Sequence, residues 1–140
     1  MNPTLRLLNP LGLYDPTPNG YSHVAVLDGP GRLVFVAGQG GEDVSGALAA
    51  DFAGQVRRAI ENLRTALAGA GACLADVAKL TLLVVDHDAA KQATLAAELA
   101  RAWLGAAPPA CTLIPVARLA LDGMLIEVDA TAAPAGAPRP

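Results

Sequence analysis

The run Val77 to Val85, VAKLTLLVV, limits the possible folds more than any other segment. It is nearly all apolar and rich in branched side chains, which suits a pleated strand. A strand with one wet face would alternate apolar and polar residues. This one is apolar on both sides, so both faces of its sheet need cover. The chain must supply that cover from packed helices, from sister subunits, or from both.

Two helical patterns can provide one layer. From Asp51 to Gly69 apolar residues fall at Phe52, Val56, Ile60, Leu63 and Leu67, the spacing of a single helix face. Asp51 is placed to cap the start, and Gly69 and Gly71 to end it. Ala89 to Leu104 follows Asp86-His87-Asp88 and aligns Leu95, Leu99 and Trp103 on one stripe. Gly105 and Pro108-Pro109 terminate it.

Strands account for most of the rest. Tyr21–Leu27 and Arg32–Gly38 flank Asp28-Gly29-Pro30-Gly31, a turn signal, and together they read as a hairpin. Gly38-Gln39-Gly40-Gly41 breaks the second of these strands. Cys111–Val116, interrupted by Pro115, and Met124–Ala132 are the last two strands. Residues 7–20, dense in Pro, Gly, Asn and Asp, are expected to form turns and loop. The order is β-β-α-β-α-β-β, an α+β domain with two helices on one face of a mixed sheet. Residues 1–132 form one domain with a loop-rich segment at 1–19, and 133–140 a flexible, Pro- and Ala-rich tail.

Charge excludes some partners. The net charge is -3, and no Lys/Arg run is denser than Arg57-Arg58. A nucleic-acid partner is not expected without a basic stripe. No uninterrupted apolar run is long enough for a membrane span. Met1 to Arg6 does not open a secretory signal, so a cytoplasmic location with reduced thiols is expected. Cys73 and Cys111 lack metal-ligand spacing, so no metal and no cofactor are expected. The glycine run at 38–41 lacks the lysine of a phosphate-binding loop. Hydrophobic residues make up 53% of the chain and charged residues 16%, a balance that suits subunit contacts.

Four segments carry a family resemblance. They are Gly20-Tyr21-Ser22-His23-Val24-Ala25; Val34-Phe35-Val36-Ala37-Gly38-Gln39; Gln55 through Asn62-Leu63 with Ala70-Gly71-Ala72 and Asp76-Val77-Ala78-Lys79-Leu80-Thr81; and Pro109-Ala110-Cys111-Thr112 with Val116–Leu119 and Ile126-Glu127-Val128-Asp129-Ala130. In this order they resemble the Rid (YjgF) family of reactive-intermediate deaminases over roughly residues 20–132. The resemblance implies a chorismate-mutase-like fold and a homotrimer with clefts between subunits. It also implies hydrolysis of imines or enamines to ketones and ammonia, with a small molecule as ligand.

The same resemblance nominates the site. Glu127, Cys111 and His23 are the candidate catalytic residues. Tyr21, Ala37, Gly38, Gln39, Thr94 and Thr112 are the candidate substrate contacts. The departures matter as much. Cys111 stands where the family's carboxylate-gripping arginine is found, and neither Ala110 nor Thr112 replaces its charge. Arg118, seven residues on, is not counted as a substitute. Ala37 replaces a serine, His23 a glutamine, and Thr94 aligns loosely with an asparagine.

Each candidate has a bland reading beside the chemical one. Three roles are open to Cys111: a small apolar filler, a reactive thiol, or part of a silent cleft. The reactive role requires a basic neighbour, which His23 supplies only if the fold brings it near. Glu127 is either a solvated strand residue or the group that positions and activates water. His23 is a strand histidine or a proton shuttle. His87 reads as a solvated helix-start residue, Trp103 as core or interface, and Cys73 as a turn residue without a role. Three functions therefore compete: a divergent imine or enamine hydrolase with weakened preference for 2-imino acids, a Cys111-dependent nucleophile or tautomerase, and a non-catalytic binding trimer.

Overall fold

The computed structural model describes residues 4–11, 13, 15, 17–20, 22, 24–29 and 31–135. Its strands are β1 (Thr4–Leu8), β2 (Val24–Asp28), β3 (Val34–Gly40), β4 (Val77–Val85), β5 (Ala110–Val116) and β6 (Ile126–Ala132). Its helices are α1 (Phe52–Gly69) and α2 (Ala89–Ala102). The main sheet has the order β3-β6-β4-β5, with β4 and β5 parallel and the other two pairs antiparallel. Helix α2 is the crossover that a parallel pair requires. The expected order recurs, with β1 added in front.

The two helices pack on one face of this sheet. Val56, Ile60, Leu63 and Leu67 of α1 and Leu95 and Leu99 of α2 meet Leu80, Leu82, Val84, Ile126, Val128 and Ala130 in one buried cluster. The burial of β4 alternates, so Leu80, Leu82 and Val84 face the helices. Thr81, Leu83 and Val85 point to the opposite, open face. Trp103 closes the core and donates its indole N–H to the Leu74 carbonyl at 3.0 Å. Asp51 caps α1 through the Gly54 N–H at 2.7 Å. At the other end Gly71, at φ 69°, turns the chain so that the Ala72 N–H reaches the Leu67 carbonyl at 2.9 Å.

The structure differs from the sequence reading in several places. Thr4–Leu8, partly inside the expected loop, is a strand paired antiparallel with β2. Consequently β2 and β3 do not form the expected hairpin: β2 pairs with β1, held by an Arg6–Asp28 ion pair at 2.8 Å, and β3 pairs with β6. The turn residues at 28–31 do not choose the strand's partner. Gly38 to Gly40 do not end β3. They continue it, past a register shift between Val36 and Gln39. The tail begins later than expected, because Ala133 and Pro134 are buried and the Ala133 N–H donates to Asp76 O at 2.8 Å. Residues 136–140 of that tail lie outside the described residues. Pro115 does not interrupt β5, which is an edge strand and loses no ladder donor on its outer side.

Candidate functional site

The site is built where β3 and β6 run side by side. Val36 pairs with Ala130 and Gln39 with Val128, so Ala37 and Gly38 together stand opposite Asp129. This is a β-bulge, which bends the strand and redirects the groups around it. Beside it the Glu127 carboxylate fills the space that a side chain at residue 38 would need. A Cβ placed on Gly38 would lie 1.6 Å from Glu127 Oε1. Gly38 and Glu127, nominated separately from the sequence, are therefore in direct contact. Gln39 folds back to donate its side-chain amide to the Ala37 carbonyl at 3.0 Å. Among the described residues nothing hydrogen-bonds the Glu127 carboxylate, which leaves its lone pairs for water or ligand.

Two amides on α1 hold this arrangement. The Asn62 side chain donates to the carbonyls of Gly40 and Glu42 at 2.9 and 2.8 Å, pinning the end of β3. Gln55, buried, donates to Ala49 O at 3.2 Å and Gly123 O at 3.0 Å and accepts from the Leu125 N–H at 2.8 Å. It fixes the chain just before Ile126 and Glu127. Gly41 lies so close that a Cβ there would stand 2.5 Å from Gln55 Cβ. Both amide residues belong to the segment that carries the resemblance, but sequence assigned them no task. The available signal was a polar amide on or beside the apolar stripe of a helix, which must find a partner when buried.

Register decides where Cys111 sits relative to Glu127. Cys111 pairs with Leu80, and Leu80 pairs with Ala130. Glu127 lies three residues from Ala130 along β6 and pairs with Leu83. An odd offset puts the two side chains on opposite faces of the sheet. Two strand spacings and three residues also separate their backbones by roughly 14 Å. Cys111 is half-buried against the helix-side core. Burial pushes its thiol up to about 11, against a smaller downward pull from Lys79. Such a thiol carries almost no thiolate at neutral pH.

Thr112 belongs to the open face: it pairs with Thr81, which pairs with Asp129. Lys79 donates to Thr112 Oγ1 at 2.5 Å. Thr94, on α2, bonds its own helix at Ala90 O at 3.2 Å and sits on the helix side. Tyr21 and His23 lie outside the described residues. Ser22 between them bridges to Ala110: its N–H donates to Pro109 O at 2.7 Å and its hydroxyl to Pro108 O. His87 meets Gln92 Oε1 at 2.9 Å. Arg118 is paired with Asp122 at 3.0 Å. Among the described residues no three His, Cys, Asp or Glu side chains converge on a metal position.

The sequence profile described as Endoribonuclease L-PSP matches residues 15–134, nearly the whole chain. The chain belongs to the Rid (YjgF) family. A RutC family protein of Pyrococcus abyssi is 38% identical over 109 residues, 73% of this chain and 79% of the relative. Among solved structures, the Rid family protein YyfB of Yersinia pestis, described as of unknown function, superposes with a TM-score of 0.87 at 37% identity, over 92% of this chain and 98% of its own. The YjgF gene product of E. coli gives a TM-score of 0.64 at 29% identity, over 74% and 81%. The Rid fold thus carries the β3–β6 contact described above, with a cysteine at position 111.

Proposed function

We propose that this Rid protein hydrolyses imines or enamines of small metabolites, with Glu127 as the general acid and base. The observation that carries the reading is the Glu127 carboxylate lodged against Gly38, unbonded by the described residues. In this role an enamine first gains a proton at its β-carbon and becomes the imine, and Glu127 then takes a proton from water as the oxygen bonds to the C=N carbon. The nitrogen gains a proton, the C–N bond of the resulting carbinolamine breaks, and ammonia leaves behind a ketone. The bulge brings backbone groups of Ala37 and Gly38 close to the same point, where they can orient the electrophile.

Recognition of a carboxylate is weak in this reading. Position 111 is on the other face of the sheet from Glu127, so a forked guanidinium there would reach a ligand at Glu127 only from the edge strand of a sister subunit; it would contribute two parallel hydrogen bonds, and Cys111 contributes none. That loss corresponds to about 2–5 kcal/mol, or roughly thirtyfold or more in affinity. Lys79 offers only a point charge, already engaged by Thr112. Neutral enamines are the preferred substrate class. Phosphodiester cleavage fits the site less well, because Glu127 and Asp129 share its face and would repel phosphates.

The same reading includes a homotrimer. Phe35 is 76% exposed and Ile114 44% on the open sheet face, an apolar surface that a sister subunit would cover. The test is ketone release from enamines generated in situ, comparing neutral with carboxylate-bearing compounds. Release above background that is greater for the neutral compound, and abolished in Glu127→Gln, is the expected result. No release from either class would overturn the proposal.

A further inference from the structure

A cavity of about 300 Å³ opens on the helix side of the molecule, between α1 and α2. Arg57 and Arg64 face it from α1 and Arg101 from α2, over an apolar floor of Ile60 and Ala102. Residues 57, 60 and 64 lie on one stripe of α1, so the arrangement follows from helical spacing. At its base is Glu98, a carboxylate only 5% exposed. Its Oε1 is 3.0 Å from Arg57 Nε and its Oε2 3.4 Å from Arg101 Nη1. One buried carboxylate thus orients two guanidinium groups from different helices.

The remaining donors outnumber the acceptors. Each guanidinium has five N–H donors. Arg57 spends its Nε on Glu98, Arg101 its Nη1, and Arg64 its Nε on Glu61 at 3.2 Å and Nη2 on Ala102 O at 3.3 Å. Both oxygens of Glu98 are engaged. Glu61 is the outlying carboxylate, 63% exposed, and it can swing away. Three forked cations with spare donors therefore line one opening, in a chain whose net charge is -3.

We propose that this groove is a second ligand site, built for a small molecule carrying a compact dianionic head, either a phosphate ester or paired carboxylates. Planar guanidinium forks match both heads, and the Ile60–Ala102 floor suits an apolar body behind the charge. The site is on the face of the sheet opposite to Glu127 and does not depend on the hydrolase reading.

Calorimetric titration of the full chain with inorganic pyrophosphate and with malonate, at matched ionic strength, tests it. Saturable binding of either probe is expected, and the tighter of the two identifies the head group. The Arg64→Gln/Arg101→Gln variant leaves Glu98 its Arg57 partner and should keep the fold, verified by its melting curve. It should bind the preferred probe about tenfold or more weakly. Glu127→Gln should bind it like the parent. Arg64→Lys, which keeps the charge but removes the fork, is the second variant and should also weaken binding. No saturable binding of either probe, or equal affinity in all variants, would overturn the proposal.

Discussion

Replacing Gly38 with alanine is the sharpest test of the site's geometry. The added Cβ would lie 1.6 Å from Glu127 Oε1 and 2.4 Å from its Cδ. Ordinary contact requires roughly 3.5 Å, so the carboxylate must move by about 2 Å. The atoms in the way belong to a side chain and not to backbone, so the strand itself can stay in place. A shifted rotamer costs about 0.5–1.5 kcal/mol, while the alanine lowers the entropy of the unfolded chain by a comparable amount. The melting midpoint should therefore change little. Activity should not survive as well, since a displacement of 1 Å in a reacting group costs on the order of a hundredfold. The assay is enamine hydrolysis alongside thermal unfolding, in Gly38→Ala, Glu127→Ala and the double variant. Because the added methyl meets only the Glu127 side chain and leaves the backbone groups of residue 38 in place, the double variant should be no worse than Glu127→Ala alone. Independent, additive losses would refute the reasoning, as would full activity in Gly38→Ala.

Other consequences can be measured directly. In a Cys73→Ser background, alkylation of Cys111 near neutral pH should be roughly a hundredfold slower than for a thiol at 9.0 and should keep rising toward pH 11; a plateau below pH 9 would contradict its burial. The same shift affects stability: the unfolded thiol ionises from 9.0 while the folded one holds its proton to about 11, so about 2–3 kcal/mol present below pH 9 is lost across that window. Cys111→Ala should flatten this part of a urea-monitored pH series. Gln55→Ala strands the Leu125 N–H and two carbonyls and should cost about 2–3 kcal/mol in urea unfolding, with loss of activity beyond the loss of fold. On the proposed trimer, Phe35→Asp should shift sedimentation toward the monomer while leaving the circular dichroism unchanged.

The elements with a clear period were legible in the sequence. Helix α1 and strand β4 appear where their apolar patterns placed them, because burying those stripes is what stabilises the fold. Strand β1 was not legible, since Thr4–Leu8 borders a Pro- and Gly-rich stretch and its partner lies more than a dozen residues away. Pairing choice is set by tertiary contacts such as Arg6–Asp28, which no local window contains. Motifs brought Glu127 and Gly38 into one neighbourhood but could not give their geometry, because the bulge after Val36 alters which residues share a row. The face of Cys111 needed the register as well: a shift of one residue would have reversed it. The grip of Gln55 and Asn62 on the flanking loops depends on atoms far apart in the chain.

The strand order has a consequence for how the protein is made. β6 lies between β3 and β4, yet it follows both of them, α2 and β5 in the chain. During synthesis β3 and β4 leave the ribosome with no strand to join them, and β4 carries the stickiest sequence of the chain. At about 5–20 residues per second they wait several seconds for β6. Until it arrives, β4 can pair only with β5 and the helices can cover only one of its sides. A nascent chain arrested before Ile126 should therefore bind holdase chaperones and aggregate on release, whereas one extended past Ala133 should not.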